Sequence, residues 1–368
     1  MKHFVVGCLL LLAVSPLWGG VNAQEKGDVA RYIEGLRGGD PSGRVKAAEA
    51  LANLGPSAQD ATPALVDCLQ DKNPLLRQKA IIALGLIRGH PKLAVPALVK
   101  ALDDKGILPE GAGTTIPQSA VLALANYGPE AADAVPALLE RAKSGPPDLK
   151  GQCVVALGRI KAQGERVVPL LLEYLTGKDD GYLRGQAARA LVRFGPDRAF
   201  VSPLRKAFAC EDVQERDRKA TIQYQVLRAL GDLGKYAEPE IPWMLTVFKD
   251  RANPRTVRDG ALQAIAGLGP VGKKAIPELV KCLTTKEYNS DSNTITRTLL
   301  VFGDDAVNPL KETLQSKDRH ARLYAIQALE RFGPRAKAAI PELQKLVNDD
   351  DRGIRAAARF ALVAIEKK

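Results

Sequence analysis

The sequence has little histidine and few aromatic residues, and it lacks the short motifs that usually carry catalysis. Of its 368 residues, 3 are histidines and 5% are aromatic, and beyond residue 23 only His90 and His320 remain. Neither belongs to an HExxH pattern or to paired Cys/His spacing, so a zinc or transition-metal site is not expected. No Gly-x-Ser-x-Gly elbow and no phosphate-binding loop occurs. The residues therefore predict a protein that is not an enzyme and holds no metal or cofactor.

Long apolar runs are absent beyond the N-terminus. There a short basic start precedes an apolar run from Phe4 to Leu17, and Val21-Asn22-Ala23 places small residues just before Gln24. This pattern predicts a secretory signal over residues 1–23, cleaved after Ala23. An uncleaved anchor is the weaker alternative, because a membrane-spanning helix needs about 20 apolar residues. The mature chain is expected to be soluble, without stable membrane insertion, and either secreted or periplasmic.

What the sequence does contain is a repeat. Gly-Pro recurs with a second proline eight residues after the glycine, and Ala/Leu-rich stretches lie between these blocks. The second prolines, with related ones where Gly-Pro is missing, are Pro63, Pro96, Pro136, Pro169, Pro203, Pro242, Pro277, Pro309 and Pro341. Their spacing is 32 to 40 residues. A period of this size is typical of a solenoid, in which each repeat buries its apolar face only against its neighbours.

Each repeat predicts two helices, A and B. Helix A is rich in alanine, leucine and isoleucine, as in Pro74–Arg88, and a glycine is expected to end it in a left-handed cap before a proline. The second proline lies in the first turn of helix B, where its missing N–H has no consequence. Leucines such as Leu65 and Leu69 then fall on one buried stripe. The sequence thus predicts an all-α fold of about nine helix pairs.

These features resemble HEAT repeats, particularly the short bacterial type with the turn Gly-Pro-x-Ala-x-x-Ala-x-Pro-x-Leu, which is similar to that of phycobilin lyases. The resemblance covers residues 40–366 and implies an α-α superhelix. We therefore expect a removed signal at residues 1–23, an N-terminal capping helix at 24–39 and a HEAT-repeat solenoid at 40–368. The final helix, Asp351–Glu366, should close the end, and both ends should present polar outer faces.

HEAT units also carry an Asp eight residues after the proline and an Arg six residues later. Asp71 with Arg77 and Asp349 with Arg355 fit this pattern. Asp179 with Arg184 and Asp318 with Arg322 fit with a small shift, whereas Ser144, Lys150 and Thr285 depart from it. The resemblance implies that these arginines form a structural ladder between adjacent repeats.

Acidic pairs and two insertions are the remaining polar features. The acidic runs are Asp103-Asp104, Asp179-Asp180, Asp304-Asp305 and Asp349-Asp350-Asp351. All lie at turns or helix starts, where carboxylates favour the helix dipole, so capping is predicted rather than catalysis or calcium binding. The insertions are a Gly-rich loop, Lys105–Thr115, and a charged stretch, Cys210–Lys219. Either is an enlarged turn or a functional loop, and the sequence leaves that open.

Four cysteines remain beyond the signal segment, at Cys68, Cys153, Cys210 and Cys282, without a CxxC pair. Buried thiols are predicted, because a free cysteine packs as a small hydrophobe. Only Cys153 and Cys210, in neighbouring repeats, could pair.

Positive charge is in excess, with a formal net charge of +11. In HEAT folds the B helices line the concave face, and there the resemblance places six lysines as candidate partner-binding residues: Lys100, Lys143, Lys206, Lys249, Lys281 and Lys345. Ordinary solvated surface is the alternative interpretation of these lysines, since they do not form a continuous stripe.

The favoured function is a non-enzymatic scaffold that binds a protein or peptide in the groove of the B helices, where the lysines would suit an acidic partner. The alternatives are a lyase-like enzyme of the phycobilin-lyase type and a weak binder of polyanions or nucleic acid. Specific nucleic-acid binding is not expected, because the lysine pattern is interrupted and aromatic residues are few. The sequence identifies neither the partner nor the oligomeric state.

Overall fold

The computed structural model describes residues 23–38, 40–177 and 181–367. The predicted signal segment lies outside these residues up to position 22, and so does the acidic pair Asp179-Asp180. Within the described residues the regular structure is helical, without a strand. The chain forms two compact units, which divide between Ala123 and Leu124.

The first unit contains five complete helices and the start of a sixth. They are α1 (Ala23–Arg37), α2 (Pro41–Leu54), α3 (Thr62–Cys68), α4 (Pro74–Ile87), α5 (Pro91–Ala101) and α6 (Ile116–Tyr127). The boundary between the units falls inside α6. Leu51, Leu65, Leu84 and Leu98, from four successive helices, are fully buried. The core of this unit is therefore built from the leucine stripes that the repeat predicts.

The second unit continues the same alternation. Its helices are α7 (Val135–Ser144), α8 (Pro147–Ile160), α9 (Gly164–Thr176), α10 (Gly181–Leu191), α11 (Val201–Ala207), α12 (Arg216–Asp232), α13 (Ile241–Lys249), α14 (Arg255–Gly267), α15 (Ile276–Leu283), α16 (Ser292–Val301), α17 (Val307–Thr313), α18 (Arg319–Phe332), α19 (Ile340–Leu346) and α20 (Arg352–Glu366). From α2 onward, even numbers are A helices and odd numbers are B helices. The described residues thus hold nine pairs, α2/α3 to α18/α19, and the prediction of about nine helix pairs is confirmed.

The Gly-Pro turns differ in detail from the predicted left-handed cap. Gly55 has φ 56° and ψ −137°, and Gly333 has φ 54° and ψ −135°. The φ is positive, as expected, but the ψ is extended, so the predicted helical left-handed cap is wrong at these turns. Glycine suits this region of the backbone map because a Cβ would clash there. A short 3-10 turn follows each of these glycines and leads into helix B.

Two of the repeats that lack Gly-Pro use another turn. Arg88 and Lys161 end their A helices with φ 55° and ψ of 26° and 35°. The left-handed cap is therefore present in two repeats, but on non-glycine residues, for which it is less favourable.

Neighbouring A helices in the second unit approach so closely that only small residues fit between them. A Cβ built on Gly231 would lie 2.9 Å from both Cα and O of Ala264, and one on Gly158 would lie 2.8 Å from Cα of Ala190. These distances are shorter than van der Waals contact, so side chains larger than hydrogen are excluded there. The alanine and glycine content of the A helices follows from this spacing.

The two ends of the chain expose different faces. On α1 Leu36 is buried, while Arg31, Glu34 and Arg37 are exposed. On α20, however, Phe360 is 69% exposed and Val363 is 57% exposed. The expected polar outer face is therefore wrong for α20, which carries apolar side chains among its basic ones.

The described cysteines and helices bear on disulfide pairing and on membrane insertion. The four described cysteines are free and buried, so Cys153 and Cys210 do not pair. Burial raises the pKa of Cys153 to about 12, which keeps it a protonated, unreactive thiol. Among the described helices, none combines the length and the apolar character that a membrane span requires.

We expect Gly231→Ala to lower the free energy of unfolding by about 1–3 kcal/mol, because the added methyl group meets the backbone of Ala264. Gly185→Ala is the matched control, since its new Cβ would meet only the flexible side chain of Gln225, at 3.4 Å. Urea unfolding followed by circular dichroism measures both. Equal stabilities for the two variants would contradict close packing at Gly231.

Candidate functional site

Arginines of the A helices link successive turns between repeats. Arg77 of α4 donates from Nε and Nη2 to Asp104, at 2.6 and 2.8 Å, and from Nη1 to the carbonyl of Asp71, at 2.8 Å. Asp71 lies in the turn before α4, and Asp104 lies in the turn after α5. One guanidinium therefore ties two consecutive turns together through charge-assisted hydrogen bonds.

The same arrangement recurs along the chain. The further pairs are Arg44–Asp71 at 2.6 Å, Arg184–Asp212 at 2.6 Å, Arg258–Asp291 at 3.1 Å and Arg322–Asp349 at 3.3 Å. Arg355 donates to the carbonyl of Asp349 at 2.7 Å. We call this set of contacts the arginine ladder. The contacts agree with the predicted structural role. Except for Arg355, which contacts only the turn before its own helix, each ladder arginine pairs with the acid of the following turn rather than with the acid just before it.

The acidic runs and the insertions serve the same framework. Asp351 accepts a hydrogen bond from the backbone N–H of Ile354 at 3.0 Å, which caps α20, and Asp305 forms an ion pair with Lys273. Asp212 of the charged insertion is a ladder acid. The Gly-rich loop is held by Gln78, whose side-chain amide donates to the carbonyl of Thr114 at 2.5 Å. Across the described part of the chain, no cluster of His, Cys, Asp and Glu side chains could hold a metal.

Two adjoining grooves of the second unit lie along its B helices. The first groove, of about 560 Å³, runs between α11 and the turn before α13. Its lining consists of Arg198, Val201, Ser202, Arg205, Lys206, Tyr236, Pro239 and Glu240. Three of these side chains are cationic and only one is anionic, so the first groove has an excess of positive charge.

The second groove, of about 510 Å³, lies between α13 and α15 and shares Pro239 with the first. Its lining consists of Glu238, Pro239, Ile241, Pro242, Leu245, Thr246, Lys249, Lys274 and Glu278. Both of its lysines are neutralised, because Lys249 pairs with Glu278 and Lys274 pairs with Glu238. Hydrogen bonding from Lys249 lowers the pKa of Glu278. The second groove is therefore balanced in charge and partly apolar.

The six candidate lysines do not form one cluster. Lys100 lies in the first unit, beside the ladder pair Arg77–Asp104. Lys206 and Lys249 line the two neighbouring grooves. Lys143, Lys281 and Lys345 are exposed on α7, α15 and α19. Of the six, Lys249 forms an inter-repeat ion pair, so its first role is to hold α13 against α15.

Sequence reasoning missed Arg198, Arg205 and Tyr236, which line the first groove. Their signal is weak, because they lie on or next to turns and no periodicity marks them. Trp243 is half-buried: its ring packs edge-on against that of Phe208, with 4.9 Å between the ring centres, and the guanidinium of Arg205 lies 3.6 Å from the centre of the Trp243 ring.

Comparison with known families gives one match. A family described as HEAT repeats matches residues 29–107, 114–192, 135–223 and 293–363, which together make up more than half of the chain. No curated protein matches the sequence.

Several solved structures share the fold. The crystal structure of Kap121p has a TM-score of 0.54 and 14% identity, and covers 93% of this chain and 40% of its own. The structure of importin beta in an ammonium sulfate condition has a TM-score of 0.54 and 15% identity, and the match covers 95% of this chain and 53% of importin beta. The structure of Kap121p bound to Ste12p has a TM-score of 0.51 and 15% identity, and the match covers 93% of this chain and 45% of that one. This chain thus spans 40% to 53% of these solved chains, and the likeness shows the fold alone.

Removing a ladder acid should destabilise the second unit. We expect Asp212→Ala to lower the free energy of unfolding by about 2–3 kcal/mol, because Arg184, only 4% exposed, loses its carboxylate partner. Asp305→Ala, which breaks an exposed pair with Lys273, should lower it by less than about 1 kcal/mol. Chemical denaturation measures both, and a loss for Asp212→Ala no larger than for Asp305→Ala would show that the ladder contributes nothing beyond a surface pair.

The ladder also predicts acid sensitivity in the first unit. Hydrogen bonds from Arg77 hold the pKa of Asp104 below its ordinary value of 3.8. A carboxyl whose pKa is lower in the folded state than in the unfolded state stabilises the fold at a pH above its unfolded-state pKa. This stabilisation is lost as the pH falls through its folded-state pKa. Thermal melting from pH 7 to pH 2 should therefore show a smaller acid-induced loss for Asp104→Asn than for the unsubstituted chain. Glu110→Gln, at an exposed loop residue, should keep the original pH profile, and an unchanged profile for Asp104→Asn would contradict this role.

Proposed function

The chain belongs to the HEAT-repeat proteins, and from this premise we propose that it is a non-enzymatic scaffold that binds a protein segment through its B helices, outside the cytoplasm. The predicted resemblance to HEAT repeats is confirmed by the family match, and the all-α class by the helices and by the solved structures that share them. The fold by itself fits many tasks, so the proposal depends on the surface.

The observation that carries the proposal is the pair of adjoining grooves on α11, α13 and α15. They share Pro239, and together they combine cationic, aromatic and aliphatic side chains on one exposed surface. Binding sites for protein segments typically join an apolar floor to a few polar groups that set orientation. Two structures of similar fold contain a protein ligand, namely Kap121p bound to Ste12p and karyopherin Kap121p bound to the extreme C-terminus of the protein phosphatase Cdc14p.

The lysines divide into two roles in this proposal. Lys249 holds neighbouring repeats together through Glu278 and presents little net charge to a partner. Lys206, Lys281 and Lys345 are exposed, and none of them forms an ion pair within the described residues. These three lysines are therefore the ones that meet an acidic partner.

The proposal of a location outside the cytoplasm rests mainly on the sequence of residues 1–23. Export also agrees with the fold, because the four described cysteines are buried and free and would not cross-link in an oxidising compartment.

We expect a triple charge reversal, Lys206→Glu, Lys281→Glu and Lys345→Glu, to abolish capture of an acidic protein partner from an envelope extract of the host at low salt. The thermal melt should change little, because all three side chains are exposed. The control reverses three A-helix lysines instead, Lys46, Lys150 and Lys219, with the same change in net charge. Mass spectrometry of the bound proteins at low salt and at about 0.5 M salt, where exposed charges are screened, provides the readout. Equal capture by both triple variants would refute binding through the B helices.

A further inference from the structure

We propose that the two grooves on α11, α13 and α15 recognise an extended peptide segment in which an acidic residue lies about three residues from an apolar one. The acidic side chain enters the first groove, against Arg198 and Lys206, and the apolar side chain enters the second, against Leu245 and Pro242. This inference rests on the proposed scaffold function and specifies which segment the scaffold binds.

The charge for an acidic residue comes from Arg198 and Lys206. Both line the first groove, both are exposed, and neither has an ion-pair partner within the part of the chain that the structure describes. The one anion of this groove, Glu240, is bound to Arg205 at 3.0 Å between Oε2 and Nε. Two unmatched cations thus face the same space, and a carboxylate placed there would gain charge-assisted hydrogen bonds.

Arg205 is a positioning residue and does not itself bind the ligand. Its guanidinium is held on one side by Glu240 and lies 3.6 Å from the centre of the Trp243 ring. A cation stacked on an aromatic face and bridged to a carboxylate is fixed in place. It therefore connects α11 to α13 and fixes the wall of the first groove.

The second groove selects against further charge. Its cations and anions are already matched, by Lys249 with Glu278 and by Lys274 with Glu238. What remains for a ligand is the surface of Pro239, Pro242 and Leu245, which are exposed or half-buried, above the buried Ile241. An additional anion here would meet two carboxylates, whereas an aliphatic side chain would bury apolar area.

The distance between repeats sets the spacing of the motif. Packed helices lie about 8–10 Å apart, and an extended peptide advances about 3.3 Å per residue. Two side chains that enter neighbouring grooves are therefore about three residues apart in the ligand. The charge pattern also favours a peptide over a polyanion such as nucleic acid, because a phosphate chain would need unmatched cations in both grooves.

The test is a selection from a display library of random twelve-residue peptides at about 0.15 M salt, where the screening length is about 8 Å. The bait is the chain expressed from its full sequence. We expect enriched peptides to carry Asp or Glu three residues from Leu, Ile, Val or Phe, in either direction. The double variant Arg198→Glu, Lys206→Glu should bind them at least 10-fold more weakly by fluorescence anisotropy.

The same double variant should instead select peptides with Lys or Arg at the acidic position, a gain that an unfolded variant could not produce. The matched control is Arg216→Glu, Lys219→Glu on α12, which should select the original peptides. Enriched peptides without an acidic residue, peptides whose affinity the double variant leaves unchanged, or displacement of the peptide by a 20-nucleotide single-stranded DNA would each overturn the inference.

Failure of the scaffold function itself looks different. In that case no peptide is enriched whose binding depends on Lys206, Lys281 or Lys345, and both proposals are wrong. If peptides depend on these lysines but lack the acidic and apolar pair, the scaffold function is supported and only the motif is refuted.

Discussion

In the arginine ladder, guanidinium groups such as those of Arg77 and Arg184 each hold two successive turns at once, and the relative position of the repeats in each unit depends on them. In Arg77 the contacts reach back to the carbonyl of Asp71 and forward to the carboxylate of Asp104. In Arg184 they reach back to Gly177 and forward to Asp212. Hydrogen bonds to two partners at fixed distances define an angle as well as a separation. Close packing of small residues between A helices then sets how near the repeats come.

The B helices carry exposed charged side chains that are not part of the arginine ladder. Ion pairs between neighbouring repeats neutralise much of their charge, as in Lys249–Glu278 and Arg205–Glu240. Those pairs engage most of the local carboxylates, so only a few cations are left without a partner. A count of lysines does not show which cations these are. A net charge of +11 is thus less informative than the two unmatched cations beside Pro239.

The candidate site shows how far prediction from the residues could go. Lys206 follows from its place after Pro203, and the structure puts it in a groove. Arg198, Arg205 and Tyr236 could not be predicted. Arg205 contacts Glu240, which is 35 residues away in the chain. Arg198 and Tyr236 lie on turns that the repeat period does not mark. The half-buried position of Trp243 could not be predicted for a related reason. An aromatic residue next to a helix-B proline has the pattern of a buried one, and only the neighbouring Arg205 shows that its ring forms part of the surface.

The sequence by itself determined the class of the molecule. Recurring Gly-Pro, the second proline and the leucine stripe are local signals, and local backbone preference with short-range hydrophobic periodicity is enough to specify helix pairs and their number. Only the tertiary structure decided the form of the Gly-Pro caps, the partner of each ladder arginine, the apolar outer face of α20 and the charge of each groove. Those features depend on which side chains of neighbouring repeats come within hydrogen-bonding or van der Waals distance. That proximity follows from packing between helices about 30 residues apart in the chain, and a repeat period does not encode it.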